Sequence, residues 1–252
     1  MPSRDEFLRN LAARGESGLK LARILGSNAL TTQKDEGEPI IHSLVFGFGH
    51  RARHGKDTVA KMIKEERGAQ YDIRIYSFAA ELKDEVNQNA LASGGMKNLF
   101  GPDMVYTQTN GNFVSLPNWV QYEENPDMSD PLCPLGKQRT LLQWWGTEFR
   151  RSADPDYWVN KLAKRLAQDK PEIALITDTR FPNEVNFVRQ YGDVIKVHRS
   201  SLPILPGGHP SEEALAHMKD CDWDAVIYND GSLEDLKKQA LYVFDELVEK
   251  VR

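Results

Sequence analysis

The sequence predicts an α/β fold built around a parallel sheet, and three observations predict it. Short apolar runs of strand length recur at 44–48, 71–76, 172–178, 193–198 and 224–228. Amphipathic stretches of helical period lie between them, and a strand, helix, strand order implies parallel pairing. The first run stops at Gly47-Phe48-Gly49 and gives way to a basic loop ending in Gly55-Lys56-Asp57-Thr58.

That loop has the composition of a phosphate cradle. Glycines let successive backbone N–H groups turn inward around phosphate oxygens. A lysine reaches the β- and γ-phosphates, and the helix that follows presents its positive N-terminal end to the same anion. Val59, Ala60, Met62 and Ile63 continue as the apolar face of such a helix. Two departures from the G-x-x-x-x-G-K-[ST] spacing matter. His50 stands where the first glycine belongs, with Gly49 one residue earlier, so either the loop is one residue longer or His50 adopts the turn. Asp57 follows the lysine in place of Ser or Thr, which puts a carboxylate near the expected Mg²⁺ and leaves Thr58 to supply a hydroxyl. The candidate ATP-binding residues are Gly49, Arg53, His54, Gly55, Lys56, Asp57 and Thr58, with Asp57 and Thr58 reaching the metal directly or through water.

Composition narrows the classes. A chain of 252 residues, 40% hydrophobic, can bury one sizeable core with a small appended piece. A formal charge of -5 leaves no basic footprint for duplex DNA or an anionic membrane, which argues against a polymeric nucleic-acid partner. Cys133 and Cys221 are too few for a disulfide framework and fit a reducing cytosol. No apolar run approaches the roughly 20 residues of a membrane helix, and the first residues are charged, unlike a signal peptide. A soluble cytoplasmic protein is expected.

Residues 1–38 read as a helical extension and linker, with Ser3 and Glu6 placed as a capping box; 39–252 read as the catalytic domain. The strand at 71–76 leads through Ser77 and Phe78 into a helix carrying Leu82 and Val86. Ligands of parallel sheets sit beyond the carboxyl ends of the strands, so Ser77, Phe78 and Lys83 should face the same crevice as the loop. There Phe78 either stacks on a base or packs in the core, and Lys83 either pairs with a phosphate or lies on a solvated face. Periodicity is lost from 93 to 137, where Phe113, Trp119 and Tyr122 are the expected anchors of an ordered insertion; the insertion and lid are bounded at 93–151. Within a predicted helix at 139–151, Leu141, Leu142, Trp145 and Phe149 share an apolar face and leave Arg139, Gln143, Thr147, Arg150 and Arg151 outside it. Arginine forks grip phosphate oxygens bidentately, which makes these arginines candidates for the transferring groups.

Asp154-Pro155 is expected to cap and open the next helix, with Trp158, Leu162 and Leu166 on its buried side. The run at 172–178 ends in Asp178, where a second acidic residue near Mg²⁺ is expected. Thr179-Arg180 follows, without the glutamate that water-activating ATPases often place there, which leans toward transfer to a bound acceptor. Arg180 then falls at the crevice and Glu184 one turn behind it. His209, His217 and Cys221 form no compact ligand pair. Asn229-Asp230-Gly231 reads as a turn, and Ser232 to Asp235 as the capping box of the closing helix.

Taken together, Gly55-Lys-Asp-Thr58, Ser77-Phe-Ala with Lys83, Arg139-x-x-Leu-Gln-x-x-Gly-Thr-Glu148, Tyr157-Trp158, Thr177-Asp-Thr-Arg-Phe-Pro-Asn-Glu184, His209-Pro-Ser-Glu212 and Asn229-Asp-Gly231 resemble the deoxynucleoside monophosphate kinases of tailed bacteriophages. The resemblance runs in family order across roughly residues 43–250. It implies a P-loop NTPase three-layer fold with a central parallel sheet of about five strands, and a mobile cover. It also implies ATP and Mg²⁺ as the donor system, a deoxynucleoside 5′-monophosphate (dNMP) as acceptor, the cytoplasm of an infected bacterium as location, and a homodimer as one family arrangement. On that basis Lys56, Arg139, Asp178 and Arg180 are the catalytic candidates, and Phe78, Lys83, Arg139, Gln143, Gly146, Thr147, Arg150, Arg151, Trp158, Asp178, Arg180 and Glu184 bind substrate. The rival readings are a kinase for a small non-nucleotide acceptor and a nucleotide-dependent switch. A switch of the guanine-reading kind needs Asn-Lys-x-Asp, and the nearest run, Asn160-Lys-Leu-Ala163, lacks the aspartate.

Overall fold

The computed structural model describes residues 39–101, 103–202 and 213–251. The expected extension at 1–38 and the His209-Pro-Ser-Glu212 motif lie outside them. The described residues divide into two compact units, one of 79–157 and one of 39–78 with 158–251.

The second unit carries the sheet. Its strands are β1 (Leu44–Gly49), β2 (Ile73–Tyr76), β5 (Ile173–Thr179), β6 (Gly192–His198) and β7 (Ala225–Tyr228), in the order β2-β5-β1-β6-β7. All four pairings are parallel, so the predicted five-stranded parallel sheet is observed. β1 lies at the centre and presents two different faces. Phe46 and Phe48 point into a core shared with Val59, Ala60 and Ile63 of α1 (Lys56–Arg67) and Leu236, Ala240 and Phe244 of the closing helix, α6 (Leu233–Val251). Gly47 points the other way, where an added Cβ would meet Val188 of α5 (Pro182–Arg189) at 2.7 Å. Helices thus cover both faces of the sheet. The capping box of α6 forms as expected: Ser232 N donates to Asp235 Oδ2 at 3.1 Å and Asp235 N to Ser232 Oγ at 3.2 Å.

The first unit contains most of α2 (Phe78–Ala92), a hairpin of β3 (Val105–Thr107) and β4 (Phe113–Ser115), α3 (Arg139–Trp144), and a π-helical turn at Trp145–Arg151. Its insertion is ordered, but on other anchors than those expected. Tyr106 and Leu99 are fully buried, whereas Trp119 is 45% exposed and Phe113 and Tyr122 are half-buried. Tyr106 wins because the hairpin aims it at three rings at once, Trp144, Trp145 and Phe149, with centroids 5.0–5.7 Å away. The helix α4 (Tyr157–Asp169) starts later than Asp154-Pro155 suggested. Asp154 Oδ1 accepts the Asp156 amide at 3.0 Å, so the residue that looked like a cap forms a local turn ahead of the helix.

Gly49 ends β1 beneath an indole, and an added Cβ would sit 2.4 Å from the Trp223 ring. Gly49→Ala is expected to destabilise the fold by about 1–3 kcal/mol through overpacking, read as a lowered urea midpoint with an unchanged m-value.

Candidate active site

The loop between β1 and α1 is held in a compact turn. His50, Arg53 and Gly55 have φ of 86, 65 and 103°, so half of the connecting residues 50–55 are left-handed. Of the two alternatives left open by the sequence, the structure has His50 itself in the left-handed turn. Lys56 reaches back across this loop, its Nζ donating to the carbonyls of His50 at 3.2 Å and Arg51 at 2.5 Å. Gly55 leaves space that a side chain would fill, because an added Cβ would lie 2.6 Å from Asn229 Nδ2. Asn229 in turn donates to the His54 carbonyl at 3.0 Å and fixes the loop from outside. The sequence offered Asn229 only as a turn residue, and nothing in its local pattern reveals the bond.

Asp57 and Thr58 lie exposed on the first turn of α1, and among the described residues neither side chain takes part in a hydrogen bond or ion pair. A carboxylate and a hydroxyl at the mouth of the loop are hard oxygen donors, the kind Mg²⁺ selects. Arg53 is exposed, while His54 is buried with Nδ1 accepting the Arg199 amide at 2.8 Å.

At the carboxyl end of β5, Asp178 accepts Ser77 Oγ at 2.9 Å and the Phe78 amide at 2.8 Å. It therefore fixes the point where β2 gives way to α2. Glu184 is buried, and its Oε2 accepts the amides of Arg180 at 2.7 Å and Phe181 at 3.1 Å, closing the N-terminus of α5. Glu184, expected one turn behind Arg180, is thus tied to it through the Arg180 amide. Phe78 and Trp158 retain 3% and 2% of their surfaces, with Phe78 edge-on to Phe187, so both are buried side chains.

The other candidates belong to the first unit. Its centre is the carboxylate of Glu85 on α2, which receives Trp145 Nε1 at 2.9 Å, Arg150 Nε at 2.7 Å and Tyr157 Oη at 2.7 Å. Arg150 also donates to the Thr107 carbonyl at 3.1 Å and stacks on Phe149 and Tyr157. Its position differs from the sequence expectation for a definite reason. At the 3.6-residue period, side chains five apart diverge by about 140°, but the π turn brings Trp145 and Arg150 onto the same side, toward one Glu85 oxygen. Arg150 is thereby a buried structural cation. Gly146, in the same turn, leaves room for Leu82, 2.9 Å from where its Cβ would stand.

Arg139 and Gln143 are exposed on α3, and Thr147 and Arg151 are half-buried. Glu123 holds the start of α3 by accepting the Arg139 amide at 2.9 Å, which leaves the guanidinium outward. Lys83 pairs with Asp130 at 3.0 Å, a carboxylate shared with Lys137 at 3.0 Å. Burial opposes it, yet the two ammonium groups hold the Asp130 carboxyl below its ordinary value.

Removing Glu85 would leave the Arg150 guanidinium buried and uncompensated. Glu85→Ala should therefore destabilise the chain by about 3–5 kcal/mol in chemical denaturation, and Glu85→Gln by less. A pH dependence follows from the loop. Burial, then Lys196 for His50 and Lys56 for His54, lower their pKa values from 6.5 to about 3 and about 4. Unfolded, both imidazoles take up protons below pH 6.5, while the folded chain does not until about pH 4 and 3. Their stabilising contribution is complete above 6.5 and is lost as pH falls through that window. The urea midpoint should decline between pH 7 and 4, less steeply in His50→Gln.

A family profile described as deoxynucleotide monophosphate kinase matches residues 137–240. The deoxynucleoside-5′-monophosphate kinase of Escherichia phage T5 is 42% identical over 216 residues, spanning 69% of this chain and 85% of that protein. A solved dephospho-CoA kinase from Campylobacter jejuni aligns with 82% of this chain and 98% of its own at 15% identity, with a TM-score of 0.44 that is too low to bear on fold or function. With the phage relative aligned across most of its length, this chain belongs to the deoxynucleoside monophosphate kinase family of phosphotransferases.

Proposed function

We propose that the chain transfers the γ-phosphoryl of ATP, with Mg²⁺, to the 5′-phosphate of a deoxynucleoside monophosphate, supplying diphosphates for phage DNA synthesis in the cytoplasm of an infected bacterium. The observation that carries the donor half is the left-handed loop from His50 to Gly55 with Lys56 stretched across its carbonyls. When ATP fills the cradle, Lys56 exchanges those carbonyls for phosphate oxygens. The loop amides and the N-terminus of α1 meet the same charge. Asp57 and Thr58 are the groups that fit the metal, and Mg²⁺ would supply bridging and charge neutralisation at the phosphates.

An acceptor phosphate is a nucleophile already, so positioning and charge neutralisation are the whole requirement and no general base is needed. Arg139, Gln143, Thr147 and Arg151 are assigned to acceptor binding on the first unit, and Arg180 to neutralisation on the second. Phe78, Gly146, Arg150, Trp158 and Glu184 act through architecture, as their burial and their bonds indicate. Asp178 places Ser77 and Phe78, and Lys83 meets an anion only by leaving Asp130.

Coupled ADP release with ATP, Mg²⁺ and each of dAMP, dCMP, dGMP, dTMP and the matching ribonucleotides tests the reading. Release that depends on a deoxynucleotide supports it. Release without acceptor would indicate an ATPase, and silence with every nucleotide would transfer the assignment to a non-nucleotide acceptor. Lys56→Ala should lower kcat/KM by on the order of 10²–10³ or more, with a far-ultraviolet spectrum like that of the parent.

A further inference from the structure

We infer that His50, His54 and His198 form a binding site for a transition-metal dication of the zinc class, separate from the Mg²⁺ of phosphoryl transfer. Two of the three ligands belong to the phosphate loop and the third ends β6. One nitrogen from each ring lies within 4.8 Å of the other two, and the ring centroids are 4.8–5.5 Å apart. Around a tetrahedral ion at about 2.0–2.1 Å the nitrogens stand about 3.4 Å apart, so the rings must close toward one another to bind it.

One observation favours a metal over simple packing. The Nδ1 atoms of His50 and His198 are buried and find no hydrogen-bond partner among the described residues. An unpaired buried nitrogen is disfavoured, and a metal bond is one way of satisfying it. Neutral imidazole suits zinc, copper and nickel, whereas magnesium prefers oxygen, so the loop can carry two kinds of ion without confusing them. The cationic neighbours Lys196, Lys56 and Arg51 work against a dication here. The strongest of them on His50, Lys196, is neutralised by Asp220 at 2.7 Å, and Lys56 is turned toward the loop carbonyls.

The ligands are not equivalent. His54 Nδ1 already accepts the Arg199 amide, and a neutral imidazole has one acceptor nitrogen, so His54 joins the ion only by giving up that bond. His50 and His198 are the anchors. A bound ion ties the left-handed start of the loop to the end of β6.

The test uses the untagged full chain, stripped with chelator and free of nucleotide. It is titrated with Co²⁺ alone while visible absorption is followed, and with Zn²⁺ against a chromophoric chelator. The expected result is one ion per chain, the intense visible bands of a tetrahedral cobalt site, and no displacement by millimolar Mg²⁺. His50→Ala and His198→Ala should each weaken Zn²⁺ at least tenfold, His54→Ala less, and His42→Ala not at all. His198→Gln keeps a polar side chain of similar size without an imidazole nitrogen, so it decides the case if the alanine variants fail to fold. No uptake of either metal by the parent chain, or uptake unchanged in His50→Ala and His198→Gln, would overturn the site.

Discussion

The second unit depends on an asymmetry within its central strand. β1 carries glycine on one face and phenylalanine on the other, and the two faces perform different tasks. Gly47 and Gly49 admit Val188 and the Trp223 ring to distances that a methyl group would obstruct. Phe46 and Phe48 are fully buried against α1 and α6, with Phe46 edge-on to Phe244 at 5.6 Å. Pinned on both faces and hydrogen-bonded to β5 and β6 along both edges, β1 has little freedom in where it ends. The loop leaving that end inherits a fixed origin. His50 can then be held in a backbone conformation that non-glycine residues rarely take.

In the first unit the equivalent constraint is polar. Glu85 gathers an indole, a guanidinium and a phenol; the indole packs on Tyr106, the guanidinium bonds the hairpin at Thr107 and stacks on Phe149, and the phenol stacks on that guanidinium. Burial and the Glu85 charge push the Tyr157 phenol up, which keeps it a donor to that carboxylate. A network of this kind is stabilising only when every member is satisfied, because a lone charge in the same place is disfavoured by several kcal/mol. It therefore specifies one arrangement of α2, the π turn and the start of α4.

Most of the sheet was legible in the sequence, because buried parallel strands are written as contiguous apolar runs and each run lies between recognisable turns. The loop was legible too, since glycine, lysine and the amphipathic face of α1 fall within twenty residues of one another. What escaped rests on local irregularity or on topology. The inward position of Arg150 depends on a change of helical period at Trp145, and a pattern read at 3.6 residues per turn places that arginine outside. Tyr106 displaced Phe113 and Trp119 as anchor through a three-residue hairpin too short to show alternation. Asn229 and the three histidines meet only because β6 and β7 end beside the loop, across sequence separations of well over a hundred residues. Local chemistry is visible to periodicity; partners brought together by topology are not.

The same distinction bears on how transfer is separated from hydrolysis. Asp178 is the acidic residue at the end of β5, expected from the sequence to lie near Mg²⁺. Its two oxygens instead accept the Ser77 hydroxyl and the Phe78 amide. Collecting a proton in every turnover would weaken both bonds and loosen the entry to α2. A carboxylate used in this way suits a reaction whose nucleophile arrives already ionised. A kinase whose acceptor is itself a phosphate needs no general base, so the carboxylate that ends β5 can serve the architecture of the entry to α2.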